Sequence, residues 1–81
     1  MKTIQPPIAN DQELAGYRAA ADKLEAMIRR HEDDLMDERR AAAADARKIN
    51  QIRYTLGRLY GYHQGVTEAI DDYRRRQQAS A

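Results

Sequence analysis

Counting alternately three and four residues from Leu14 lands on Leu14, Tyr17, Ala21, Leu24, Ile28, His31, Leu35, Glu38, Ala42, Asp45, Ile49, Ile52, Leu56, Leu59, His63, Val66, Ile70 and Tyr73. Fourteen of these eighteen positions are apolar, and the frame never slips. A repeat of 3.5 residues keeps one stripe on one side of a helix, and such a stripe needs a partner helix to cover it. The chain is therefore expected to be all-α and built on a coiled-coil seam, with Leu24, Ile28, Ile52, Leu56 and Leu59 at its centre.

The helical part has a definable start. Pro6 and Pro7 each remove a backbone donor and restrain the residue before them, so residues 1–9 are expected to be an extended lead-in. Asn10 reads as an N-cap, and Glu13 stands three residues later to complete a capping box. Beyond Pro7 there is no proline, and residues 17–56 are dominated by Ala, Arg, Glu, Asp, Leu and Met, most of them good helix formers. A helical region over 10–76 is expected, followed by a frayed tail at 77–81.

Two chain paths satisfy the seam. The seam is weakest around Glu38, Ala42 and Asp45, where a fold-back near residues 37–47 gives an antiparallel helical hairpin. Alternatively, residues 11–76 form one long coiled-coil helix of about 100 Å at 1.5 Å per residue. The middle has no Gly, Pro or Asn to make a tight turn, which favours the rod. Ordinary helix lengths favour the hairpin, and so does charge. Residues 1–38 hold five Lys/Arg against nine Asp/Glu, whereas residues 39–81 hold nine against four. Halves of opposite sign suit one another when packed antiparallel. On either path one apolar stripe per helix is a small core for 81 residues, so a homo-oligomer is expected: two hairpins forming four helices, or a coiled-coil dimer.

Several function classes lose their requirements. There is no Cys, which removes disulfides and thiolate metal sites. With 33% charged residues and a mean hydropathy of −0.92, the chain is too polar for a membrane span. The first seven residues have no apolar stretch of the kind a signal peptide needs, so a cytoplasmic location is expected. No phosphate-binding glycine loop, nucleophile elbow or zinc-protease helix is present. Ser80 is the only serine, and Thr3, Thr55 and Thr67 have no base at a suggestive spacing. His31 and His63 stand on the seam without the Glu-x-x-His pairing of a di-iron bundle. No enzyme activity, no cofactor and no metal site are expected.

The feature that remains is glycine. Gly57, Gly61 and Gly65 recur every fourth residue inside a helical stretch, each at a cost of about 1 kcal/mol relative to Ala. They lie off the seam, with Tyr54, Arg58 and Tyr62 beside them. A groove of small residues lets another backbone or a flat ligand approach closely, which makes these six residues the candidate binding site. The competing reading is a bend or break at Gly61 that lets the last part of the helix fold back. The basic residues of the second half, Arg39, Arg40, Arg47, Lys48, Arg53, Arg58 and Arg74–Arg76, are suited to phosphates. They are spread around the helix, however, and the final triplet is expected to serve the helix C-terminus.

In size, composition and uninterrupted helix the chain resembles the small accessory proteins of phages and mobile elements, including inhibitors of host defence. Gly16-Tyr17-Arg18, near the start of a helix, resembles phage proteins that sequester cyclic oligonucleotides. The basic residue that follows in that family is replaced here by Glu32. The resemblance implies a host-cytoplasmic, non-enzymatic module that inhibits or regulates a larger host protein or complex. Nucleic-acid or cyclic-nucleotide binding through the basic second half and the Gly/Tyr/Arg face is the alternative, and a structural assembly subunit is a third.

Overall fold

The structure, a computed structural model, describes residues 7–79. The expected lead-in is thus described only from residue 7, and residues 80 and 81 of the expected tail also lie outside the described part. Helix α1 spans Asp11–Arg40 and helix α2 spans Ala46–Ala79. They pack against each other as an antiparallel hairpin of 58 × 26 × 17 Å. The radius of gyration is 16.7 Å, against about 12 Å for a compact domain of this length. The single rod is excluded.

Helix α1 begins as its sequence dictates. The Asn10 side chain accepts from the Glu13 N–H at 2.9 Å, and Asn10 itself is extended (φ −156°, ψ 173°). The Glu13 carboxylate accepts from the Ala9 N–H at 2.8 Å, reaching one residue further back than in the usual capping box.

The turn is made without any left-handed residue: no described residue has positive φ. Ala41 leaves the helical region at φ −62° and ψ 139°, while its N–H still bonds the carbonyls of Asp37 and Glu38. Side chains do the rest. Glu38 Oε1 accepts from the Asp45 N–H at 3.1 Å, tying the two ends of the turn together. Asp45 Oδ1 accepts from the Arg47 N–H at 2.9 Å and caps α2. Glu38 and Asp45 are therefore not flaws in a seam but the clasp and the cap of the turn, and Ala42 is exposed within it. The heptad count passes through residues 41–45 in frame although no helix exists there.

On the two arms the predicted seam is the packed seam. Ala21, Ile28, Leu56, Leu59, Val66, Ile70 and Tyr73 are buried, and the other seam positions outside the turn are half-buried. Ile28, Leu56 and Leu59, with Leu24, Leu35 and Ile52 against them, form the cluster nearer the turn. The second cluster, at the open end, contains a residue outside the heptad count. Ile8 is fully buried (0% exposed) with Ala21, Val66, Ile70 and Tyr73. Two hydrogen bonds close this end: Tyr73 Oη donates to Asp11 at 2.6 Å, and the Arg76 guanidinium donates to the Ile8 carbonyl at 2.9 Å. Helix α2 also continues through Ala79, three residues past the expected end, because Gln77, Gln78 and Ala79 contain no helix breaker.

Replacing buried Leu56 or Ile8 by Ala is expected to lower stability by about 2–5 kcal/mol. Urea unfolding checks both. The Ile8 result is the sharper one, since an extended lead-in without packing would show no loss.

Candidate functional site

Helix α2 runs unbroken through Gly57, Gly61 and Gly65, so the reading in which the chain breaks at Gly61 and turns back is excluded. No glycine among the described residues has positive φ. A Cβ added at Gly57 or Gly61 meets no heavy atom within 4 Å. Neither backbone geometry nor internal packing therefore asks for glycine at these two positions.

The six candidate residues do not all share one environment. Each step of four advances about 40° around an α-helix, so the row of glycines winds as it climbs. Gly57 and Gly61 are exposed, while Gly65 is half-buried beside Val66. Tyr54 and Tyr62 are 70% and 52% exposed, large values for aromatic rings. Arg58 lies between them one turn from each. Its guanidinium donates to Tyr62 Oη at 3.0 Å and sits 5.9 Å from the centre of that ring, within cation–π range. The hydrogen bond and charge of Tyr62, followed by the charge of Tyr54, hold Arg58 above its ordinary value. Tyr54, Gly57, Arg58, Gly61 and Tyr62 thus form an exposed strip with a fixed cation between two rings, while Gly65 is half-buried.

The histidines are engaged within the hairpin. His31 Nδ1 donates to the Met27 carbonyl at 2.8 Å, and His63 Nε2 donates to Glu25 across the arms at 3.1 Å. Among the described residues no group of three or more His, Asp or Glu is placed to hold a metal ion, and no helix is long and apolar enough to cross a membrane.

The opposite charges of the arms act through fewer direct contacts than their totals suggest. Among the described residues the close contacts between basic and acidic side chains are the His63–Glu25 hydrogen bond across the arms and the Arg76–Asp72 ion pair within α2. Tyrosine hydroxyls supply other cross-arm bonds, Tyr60 to Glu32 at 2.9 Å and Tyr73 to Asp11. Of the terminal arginine triplet, Arg76 serves the open end through Ile8 and Asp72, and its guanidinium lies 5.6 Å from the Tyr73 ring. Arg74 lines a charged groove with Arg18, Asp22, Glu25 and Asp71.

Sequence reasoning missed the groove on the other side of the hairpin, about 430 Å³, lined by Glu13, Gly16, Tyr17, Ala20 and Val66. Its signal was present in the small residues Gly16 and Ala20 next to the seam. Heptad counting does not show which residues of two arms flank the same groove. Comparison with protein-family models, with curated proteins and with solved structures finds no match for this chain.

Two outcomes follow from this geometry. Gly57→Ala and Gly61→Ala should each raise unfolding stability by about 1 kcal/mol, since each restores helix propensity in open space. Chemical denaturation reads the gain. Hydrogen bonds to Asp11 and Glu32 raise the Tyr73 and Tyr60 hydroxyls above their ordinary value of 10.0. A raised folded-state value contributes stability below pH 10, and that contribution is lost as pH rises through the folded values. Thermal melting should therefore fall above pH 10, and fall less in a Tyr60→Phe/Tyr73→Phe protein.

Proposed function

We propose that this hairpin is a non-enzymatic, self-associating protein-binding module whose outward α2 strip contacts a larger partner. The observation that carries the reading is the pair Gly57 and Gly61. Both weaken a helix whose own packing would accept alanine, and both lie beside an Arg flanked by two exposed Tyr rings. Tyr and Arg are the residue types that dominate binding energy at protein interfaces. A helix face stripped of Cβ atoms lets a partner backbone come close between them. The likeness to accessory proteins of phages and mobile elements suits an inhibitor or regulator of a host protein in the host cytoplasm.

A second reading is supported by the same strip. Two exposed rings with a guanidinium between them also suit stacking on bases or a cyclic nucleotide, with the remaining arginines of α2 near phosphates. Binding of generic nucleic acid that falls steeply across a salt series would favour it. A purely structural assembly subunit is the third reading, and it requires no outside partner.

The test is capture of a partner from a host extract, identified by mass spectrometry and repeated with variants. Arg58→Ala should weaken capture about tenfold, the size expected of an interface anchor, with little change in melting. Gly61→Ala should weaken capture while the protein itself becomes more stable. If both variants retain full capture, the strip is not the contact surface, and the acidic stretch 32–38 becomes the next candidate.

A further inference from the structure

The two long sides of the hairpin differ in chemistry. One groove is lined by Arg18, Asp22, Glu25, Asp71 and Arg74 together with Ala21, Thr67 and Ile70. The other is lined by Glu13, Gly16, Tyr17, Ala20 and Val66, with one charged group among the five. Met27, one heptad beyond Ala20 and so on the same side of α1, is 46% exposed. A Cβ at Gly16 meets nothing within 4 Å, so the hairpin leaves this space open.

The hairpin also exposes more surface than a finished fold of its mass. Its accessible area is 6572 Å² for 9.3 kDa, against about 5,000 Å² for a compact monomer of that size. The broad side measures 58 × 26 Å, roughly 1,500 Å² in projection, well above the roughly 800 Å² per partner of a stable interface.

We infer that the groove of Glu13, Gly16, Tyr17, Ala20 and Val66 is the docking surface for a second copy of this chain. Two hairpins stack there with the α1 of each over the α2 of the other. The inference rests on the self-association proposed above and names its face and arrangement. Charge selects the occupant and the stacking. Asp11–Arg40 holds nine acidic against six basic residues, and Ala46–Ala79 holds seven basic against three acidic. Stacking like arm on like arm sets equal charges face to face. Stacking α1 on the partner's α2 gives each acidic arm a basic arm beside it and another above it, and keeps adjacent helices antiparallel. A two-fold axis along the hairpin produces this arrangement and puts both turns at the same end.

Light scattering on the full chain at micromolar concentration should give about twice the 9.3 kDa chain mass. Gly16→Arg should return the mass to that of one chain with helicity retained, because the arginine has free space within its own hairpin but fills the groove against a basic arm. Met27→Arg, which sets a second cation on the same face against the partner's basic arm, should also dissociate the pair, and Gly57→Arg, on the outward strip, should not. Spin labels on an Ala43→Cys variant should lie far closer between copies than the 58 Å hairpin length. A single-chain mass for the parent overturns both the self-association and this inference. A dimer that survives Gly16→Arg and Met27→Arg overturns the docking face alone, and a label separation near the hairpin length overturns the stacking.

Discussion

Two helices have one interface with each other, and every other feature of this protein is arranged around that fact. Isolated helices are marginal in water even when their residues favour them, so α1 and α2 persist by burying one stripe each on the other. Burying a Leu, Ile or Val side chain contributes about 1.5–3 kcal/mol, and the seam supplies Ile28, Leu56, Leu59, Val66 and Ile70. With no second layer behind it, any seam residue lost is lost from the whole core. The half-buried histidines fit this economy. His31 and His63 occupy seam positions, where each imidazole bonds an oxygen.

The two ends of the interface are closed by different chemistry. At the turn the chain must reverse without glycine, and it does so with carboxylates: Glu38 holds the Asp45 amide, and Asp45 holds the Arg47 amide in the first turn of α2. These bonds answer the orphan donors that every helix N-terminus presents. At the open end, where hairpin arms would fray, Ile8 fills the gap between them. Its carbonyl is held by Arg76, and Tyr73 reaches Asp11. An apolar plug held by one side-chain bond, with a second bond between the arms beside it, turns the open end of the hairpin into one of its two clusters.

Function is read from what the interface does not use. The polar side is occupied by the hairpin's own bonds, Tyr60 to Glu32 and His63 to Glu25. Two surfaces then lack an internal role: the outward strip with Tyr54, Gly57, Arg58, Gly61 and Tyr62, and the groove of Gly16, Tyr17, Ala20 and Val66. In both, small residues leave open space where a side chain would fit the chain's own packing. The two are the surfaces proposed above for a partner and for a second copy.

The sequence determined the helices, the cap at Asn10 and the residues of the seam, because periodicity and capping are local properties that neighbouring residues impose on one helix. It did not determine that the helices are two. The heptad frame runs through Glu38, Ala42 and Asp45 whether they lie in a rod or a turn, and only the packing of the arms shows that these carboxylates serve a reversal. Nor did it reveal Ile8, which local reading assigns to a lead-in before a helix. Its burial depends on Val66, Ile70 and Tyr73, nearly the whole chain away in sequence. The glycine row was legible as a cost, since propensity is local. Its division into exposed Gly57 and Gly61 and half-buried Gly65 was decided by the tertiary structure, because exposure depends on where the other helix lies.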